Sequence, residues 1–162
     1  MPYKILAIDS NHECLNTGLR DAGFIVDEDY TSSKEIIEQK IADYDGMIVR
    51  SRFPIDKDFL AKATNLKFIG RVGAGLENID EDFAANRGII LFNSPEGNRD
   101  SVGEHAIGML LMLMHHLRRA DNEVRNGIWK REENRGDELK GKTVGIIGYG
   151  NMGNAFAKRL QG

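Results

Sequence analysis

Gly148-Tyr149-Gly150-Asn151-Met152-Gly153 spaces three glycines as GxGxxG. Alone the string is a weak signal, because glycine fills 18 of the 162 positions. Context strengthens it: an apolar run from Val144 to Ile147 precedes the motif, and a helical pattern follows. There Gly148 permits a tight turn, Gly150 lets a pyrophosphate approach the backbone, and Gly153 allows close packing of helix on strand. Free N–H groups at the positive end of the helix then bind the diphosphate. The alternative is a plain strand-helix turn. The acidic residue expected about 20 positions further on, which holds the ribose 2′-hydroxyl, falls past Gly162.

A second glycine cluster, Gly70-Arg71-Val72-Gly73-Ala74-Gly75, stands at the end of a strand-like run. Consecutive amides in such a loop form an anion-binding nest, and a carboxylate is a suitable guest. A loop that only needs positive φ fits the composition equally. Arg50-Ser51-Arg52 ends another strand-like run and places cationic forks on the same edge, suited to a carboxylate or phosphate unless they are merely solvated. His12, His105, His115 and His116 have no sequence neighbour that makes a dyad. His105, at the start of a helix expected to be buried, reads as a structural histidine. The Met109, Met112 and Met114 stripe reads as core packing. The single Cys14 excludes an internal disulfide, belongs to no metal-ligand cluster and suits a reducing compartment.

These groups need elements to position them. Short runs rich in Ile, Val and Leu alternate with helical patterns, as in a parallel sheet covered by helices. Strands are expected at Lys4–Asp9, Phe24–Asp27, Gly46–Val49, Phe68–Arg71 and Ile89–Phe92. Leu15, Leu19 and Ala22 precede the helix stop Gly23, Ser32 and Glu35 form a capping box, and Asp80 to Arg87 ends at Gly88. Five strands with crossover helices in so short a span imply a flavodoxin-like, doubly wound α/β domain.

After the polar loop Asn93 to Asp100, a long helix is expected, with Ser101 as N-cap and Glu104 completing a capping box. Its first half is apolar almost all round and so reads as buried, while Arg118 to Arg125 is charged and solvated. A sixth strand over Lys142–Ile147 and a helix over Asn151–Leu160 look like the start of a Rossmann domain. The expected division is 1–98 and 99–162. Charge changes sign near it, with 12 Lys+Arg against 18 Asp+Glu in residues 1–100 and 10 against 7 afterwards.

With 41% hydrophobic and 29% charged residues and a net charge of −3, the composition excludes a disordered chain and a strongly basic nucleic-acid binder. The Ala106 to Met114 run is far shorter than the roughly 18–20 residues of a membrane span. No export signal stands at the N-terminus, so a cytoplasmic location is expected, with neither membrane nor nucleic acid as partner.

Several segments together carry a resemblance. DGMIVRS (Asp45 to Ser51), GRVGAGLENID (Gly70 to Asp80), NSPEGNRDSVGEH (Asn93 to His105), GIW (Gly127 to Trp129) and ELKGKTVGIIGYGNMG (Glu138 to Gly153) are similar, in order and spacing, to the D-isomer-specific 2-hydroxyacid dehydrogenases. The phosphoglycerate dehydrogenase branch is the nearest. The resemblance implies an NAD-dependent oxidoreductase, with NADP as the other option, that passes hydride to or from a small 2-hydroxy or 2-keto acid in an interdomain cleft. It implies that Ala74 and Gly75 offer amides to the substrate carboxylate, that Arg50 with Ser51 reaches the far end of the substrate, and that Asn98 and Ser101 lie near the nicotinamide. Gly148, Gly150, Asn151, Met152 and Gly153 would form the diphosphate loop. The arm 101–162 would serve homodimerisation.

Two departures stand out. Arg52 and Phe53 follow VRS where the phosphoglycerate type has a small residue and Thr, which argues against 3-phosphoglycerate itself while keeping an anionic bias. The family's catalytic arginine, glutamate and histidine lie later than Gly162, so no residue here takes a catalytic role, no metal site is expected, and the chain by itself is expected to be inactive. Another class of function, a non-catalytic small-acid-binding or regulatory module, fits the same residues.

Overall fold

The computed structural model describes residues 2–161. They form two compact units, the first ending at Pro95 and the second beginning at Glu96.

The first unit is a five-stranded parallel sheet in the order β2-β1-β3-β4-β5, built from β1 (Lys4–Ala7), β2 (Ile25–Glu28), β3 (Gly46–Val49), β4 (Phe68–Arg71) and β5 (Ile90–Phe92). This is the flavodoxin-like α/β arrangement expected from the sequence. Alternation along each strand divides the side chains between two faces. Leu6, Met47, Val49, Ile69 and Ile89 join the larger core with α2 (Lys34–Lys40), α3 (Lys57–Lys62) and α4 (Glu81–Asn86). Ile5, Ala7, Val26 and Ile48 pack on the opposite face, where Leu15 and Leu19 of α1 (Glu13–Asp21) cover them. Beyond α1 that face is open at β5, where Ile90 and Phe92 are 58% and 56% exposed.

The helix boundaries follow local chemistry. Asp56 caps α3 by accepting from the Phe59 N–H at 3.0 Å, and Asp80 caps α4 through Phe83 N–H at 2.9 Å. Gly23, at φ +89°, turns the chain out of α1. The residue at the N-cap of α2 is Ser33, not Ser32, and its side chain makes no capping bond. Ser32 instead donates its N–H to Asp29 Oδ1 at 2.9 Å, so a side chain upstream competes for the expected cap.

The second unit departs further from the sequence-based expectation. Its long helix is two helices, α5 (Arg99–Met114) and α6 (Leu117–Arg125), broken at His116, which adopts a left-handed conformation at φ 54°. Asn98 takes the N-cap position and Ser101 lies within the first turn of α5, so Ser101 is not the cap. The apolar half is not buried: Met109, Met112 and Leu113 are exposed, as is His105. Core packing therefore fails as an account of Met109 and Met112. No ladder forms over Lys142–Ile147 among the described residues, and Ile147 is fully exposed. A parallel strand exists only through hydrogen bonds to a neighbour, and among the described residues no strand lies beside this segment.

What holds the unit together is α5 against α7 (Asn151–Leu160). Gly103 is buried where a Cβ would stand 3.0 Å from the Ala155 backbone, and Arg159 bridges Asp100 at 3.2 Å and Glu104 at 3.3 Å. Residues 130–136 fold back on α6, with Arg119 Nε donating to Asn134 Oδ1 at 2.7 Å.

Candidate functional site

Parallel strands present all their carboxyl ends on one edge, and in open α/β sheets that edge carries the ligand. In the first unit the loops after β1, β3, β4 and β5 meet there. β1 continues through Ile8 to Asp9, whose Oδ2 accepts the N–H groups of Arg50 at 2.6 Å and Ser51 at 3.2 Å. The loop after β3 is thus held by a carboxylate from the neighbouring strand. Asn78 Nδ2 reaches the Arg50 carbonyl at 3.3 Å from the other side.

The two arginines of this loop have opposite environments. Arg52 Nη1 donates to the carbonyls of Ile8 and Asp29, each at 2.6 Å, and Nη2 donates to the Ser32 carbonyl. Three backbone oxygens from two loops therefore engage its guanidinium. Phe53 beside it packs on the larger core, with its ring 5.8 Å from that of Phe59. The expectation that Arg52 adds to an anionic bias is corrected: its donors close the sheet edge. The departure at Arg52-Phe53 from the phosphoglycerate pattern is architectural. Arg50 is exposed, and its guanidinium makes no hydrogen bond or ion pair among the described residues.

Below this loop Asp29 gathers donors. Lys40 Nζ and the N–H groups of Ser32 and Thr31 all reach its carboxylate. The Lys40 ammonium, followed by these donors, holds the Asp29 carboxyl far below the usual carboxylate range.

The glycine loop after β4 is shaped by close contacts. A Cβ on Gly73 would stand 1.7 Å from Arg71 Nη1, so the largely buried guanidinium lies directly against this glycine. Asn93 Nδ2 donates to the Ala74 carbonyl at 2.6 Å, and Ser94 N–H donates to the Gly73 carbonyl at 2.8 Å. Both carbonyls are thereby turned to β5. The N–H groups of Ala74 and Gly75 donate to nothing among the described residues. Two unpaired amides at a strand end suit a carboxylate. The Glu77 carboxylate lies against Gly75 and 3.6 Å from Arg71 Nη2.

In the second unit the turn from Gly148 to Gly153 has the features the sequence motif requires. Gly148 adopts φ +87°, nothing lies within 4 Å of a Cβ placed on Gly150, and a Cβ on Gly153 would stand 2.1 Å from the Gly148 carbonyl oxygen. Gly150 is the N-cap of α7 and offers no side chain, which leaves the first-turn N–H groups of Asn151, Met152 and Gly153 without a side-chain acceptor. These residues fit a dinucleotide diphosphate, with open backbone at Gly150 and donors behind it. Asn98 and Ser101 share the start of α5 and are both exposed.

His12 is the N-cap of α1, its Nδ1 accepting from Cys14 N–H at 3.3 Å, which is a structural role. Among the described residues no group of three His, Cys, Asp or Glu side chains is placed to hold a metal. Among the described residues no helix is long and apolar enough to cross a membrane. Sequence reasoning missed Asp9 and Asn93. An acid directly after a buried strand was the available signal for Asp9, whereas nothing in the sequence pointed to Asn93.

The family model described as D-isomer specific 2-hydroxyacid dehydrogenase, catalytic domain, matches residues 5–159. A D-3-phosphoglycerate dehydrogenase from Archaeoglobus fulgidus is 38% identical over 158 residues, which cover 98% of this chain and 30% of that protein. Among solved structures, the PH0520 protein from Pyrococcus horikoshii OT3 superposes with a TM-score of 0.88 at 30% identity, covering 99% of this chain and 50% of that one. An NAD-dependent formate dehydrogenase from Staphylococcus aureus, in complex with NAD, gives a TM-score of 0.75 at 27% identity, covering 97% and 53%. The chain thus spans about 30% of the length of the curated relatives it matches and about half of the solved ones.

Proposed function

The chain belongs to the D-isomer-specific 2-hydroxyacid dehydrogenase family, and from that premise we propose that it is the N-terminal part of an NAD(P)-dependent oxidoreductase acting on a small 2-hydroxy or 2-keto acid. The observation that carries the reading is the pair of unpaired N–H groups at Ala74 and Gly75 on the ligand-binding edge of the sheet. In this reading they receive the substrate carboxylate. Arg50, with Ser51 beside it, takes the far end of the substrate. With Arg52 occupied by backbone carbonyls, Arg50 is the group there suited to a second anionic substituent, which favours a substrate of the phosphoglycerate type. Likeness to D-3-phosphoglycerate dehydrogenases supports the same class.

The cofactor half of the reading places the diphosphate on Gly148, Gly150, Asn151, Met152 and Gly153, with Asn98 and Ser101 toward the nicotinamide. When bound, the nicotinamide supplies or accepts the hydride. What these residues contribute is a fixed anion site and an oriented ring. In the described structure the second unit has no sheet of its own, so the chain by itself is proposed to be inactive in a cytoplasmic, soluble setting.

The test is a titration of the labelled chain with 3-phosphoglycerate, followed by amide NMR. Shifts at Ala74, Gly75 and Arg50 are expected. Saturating ligand with no movement at Ala74 and Gly75 overturns the reading, and NADH-linked turnover by the chain alone overturns its proposed inactivity. Should a full-length protein bind the acid without turnover, the non-catalytic module takes the place of the enzyme. Met109, Met112 and Leu113, with His116, Arg118, Arg119 and Asn122, line a groove of about 790 Å³ in the second unit, and its exposed apolar side supports homodimerisation through this arm. A monodisperse monomer by light scattering at micromolar concentration contradicts it.

A further inference from the structure

We propose that Asp9 is a positioning residue for Arg50, an inference that rests on the reading of Arg50 as a substrate-binding group. The two residues lie 41 positions apart, joined because β1 and β3 are neighbours in the sheet. A single oxygen, Asp9 Oδ2, takes both N–H groups of the Arg50-Ser51 step, at 2.6 and 3.2 Å. Asp9 is itself held, since Asn11 Nδ2 donates to its carbonyl at 2.7 Å.

One residue beyond Ser51 the chain is pinned again. The Arg52 guanidinium ties it to Ile8, the residue before Asp9, and to Asp29 and Ser32 after β2. Backbone is therefore fixed on both sides of Ser51, and Arg50 alone among Arg50, Ser51 and Arg52 sends an unengaged cation outward. An arginine on a mobile loop must lose both loop and rotamer freedom when it binds an anion. From a pinned backbone it loses rotamer freedom only. Asp9 is suited to this work because bonds from N–H to a carboxylate are charge-assisted and stronger than those to a neutral oxygen. Its carboxylate would repel an acidic substrate on contact, so its place beneath the loop amides is that of a support.

Asp9→Ala and Asp9→Asn, each alone and combined with Arg50→Met, test this in the full chain, with 3-phosphoglycerate as the probe and amide NMR giving the dissociation constant. Asp9→Ala is expected to weaken binding about tenfold, and Asp9→Asn, which keeps an acceptor oxygen, by less than about threefold. In the Arg50→Met background Asp9→Ala should change affinity less than about twofold, because Asp9 acts through Arg50. Equal losses from Asp9→Ala in both backgrounds, or no loss from it in either, overturn the proposal. If loss of amide dispersion shows that Asp9→Ala does not fold, Asp9→Ser, whose hydroxyl stops short of both N–H groups, carries the same comparison. Absence of binding by the unmodified chain overturns the substrate reading, and hydrogen exchange then judges Asp9 separately. Slow exchange at Arg50 and Ser51 that becomes fast in Asp9→Ala and less so in Asp9→Asn upholds the tether, while fast exchange in the unmodified chain, or exchange unchanged in Asp9→Ala, overturns it.

Discussion

Replacing Arg52 with methionine should destabilise the first unit rather than weaken anion binding. Three bonds from its guanidinium, to the carbonyls of Ile8, Asp29 and Ser32, disappear while the aliphatic stem is largely retained. A hydrogen bond from a charged donor contributes about 1.5–3 kcal/mol net. The three share one half-exposed group, and water can reach some of the freed carbonyls, so the sum is discounted to about 2–4 kcal/mol. For a unit this size each kcal/mol corresponds to about 4–8 °C, so the first melting transition should fall by at least about 8 °C. Arg52→Lys should recover less than half, because an ammonium is a compact donor and cannot span three oxygens set around a planar fork. Circular dichroism melts of the two variants, alongside binding of 3-phosphoglycerate at a temperature where both are folded, form the assay. A methionine variant as stable as the parent, with affinity reduced tenfold or more, would refute the reasoning and return Arg52 to the ligand.

Asp29 predicts the acid behaviour. Its folded carboxyl lies below the ordinary value, so its stabilisation is complete above the unfolded pKa of about 3.9 and is lost as pH falls through the folded value. Urea midpoints should therefore be flat in this respect near neutrality and decline in acid, with Asp29→Asn lower at pH 7 and less acid-sensitive below pH 4. Gly153→Ala would place a Cβ 2.1 Å from the Gly148 carbonyl and should disorder the turn into α7, read as amide shift changes centred on residues 146–155. Gly18→Ala is the contrasting case, since nothing lies within 4 Å of its Cβ in the middle of α1. It should stabilise the first unit by about 0.5–1 kcal/mol in denaturant titrations.

The elements with strong periodic signals were the ones legible in advance. β3, β4 and α7 have the bounds expected from apolar runs and from the glycine motif, and the fold of the first unit follows from their alternation with helices. What failed depended on partners distant in sequence. Lys142–Ile147 has the composition of a buried strand but no strand to pair with among the described residues, so propensity alone could not make it one. Ser32 looks like a cap until Asp29 competes for its N–H. Arg52 matches Arg50 in residue type; the resemblance singles out Arg50, and only the carbonyls of Ile8, Asp29 and Ser32 reveal what Arg52 does instead. For the candidate site, glycine spacing marked the two loops proposed to bind anions, because close backbone approach leaves a compositional mark. Asn93, which orients the Ala74 carbonyl by a single bond across 19 positions, leaves none.

The unequal cover of the sheet sets how durable this geometry is. Within the first unit three helices cover one side of the sheet, whereas among its described residues the nine-residue α1 is the helix packed on the other. Opening free energy is lowest where few apolar contacts must be broken, so α1 is the first layer to detach. The loop bearing Asp9 joins that layer to the sheet, between β1 and the His12 cap of α1. The lifetime of the binding geometry is consequently that of a thin outer leaf, shorter than that of the strands it rests on.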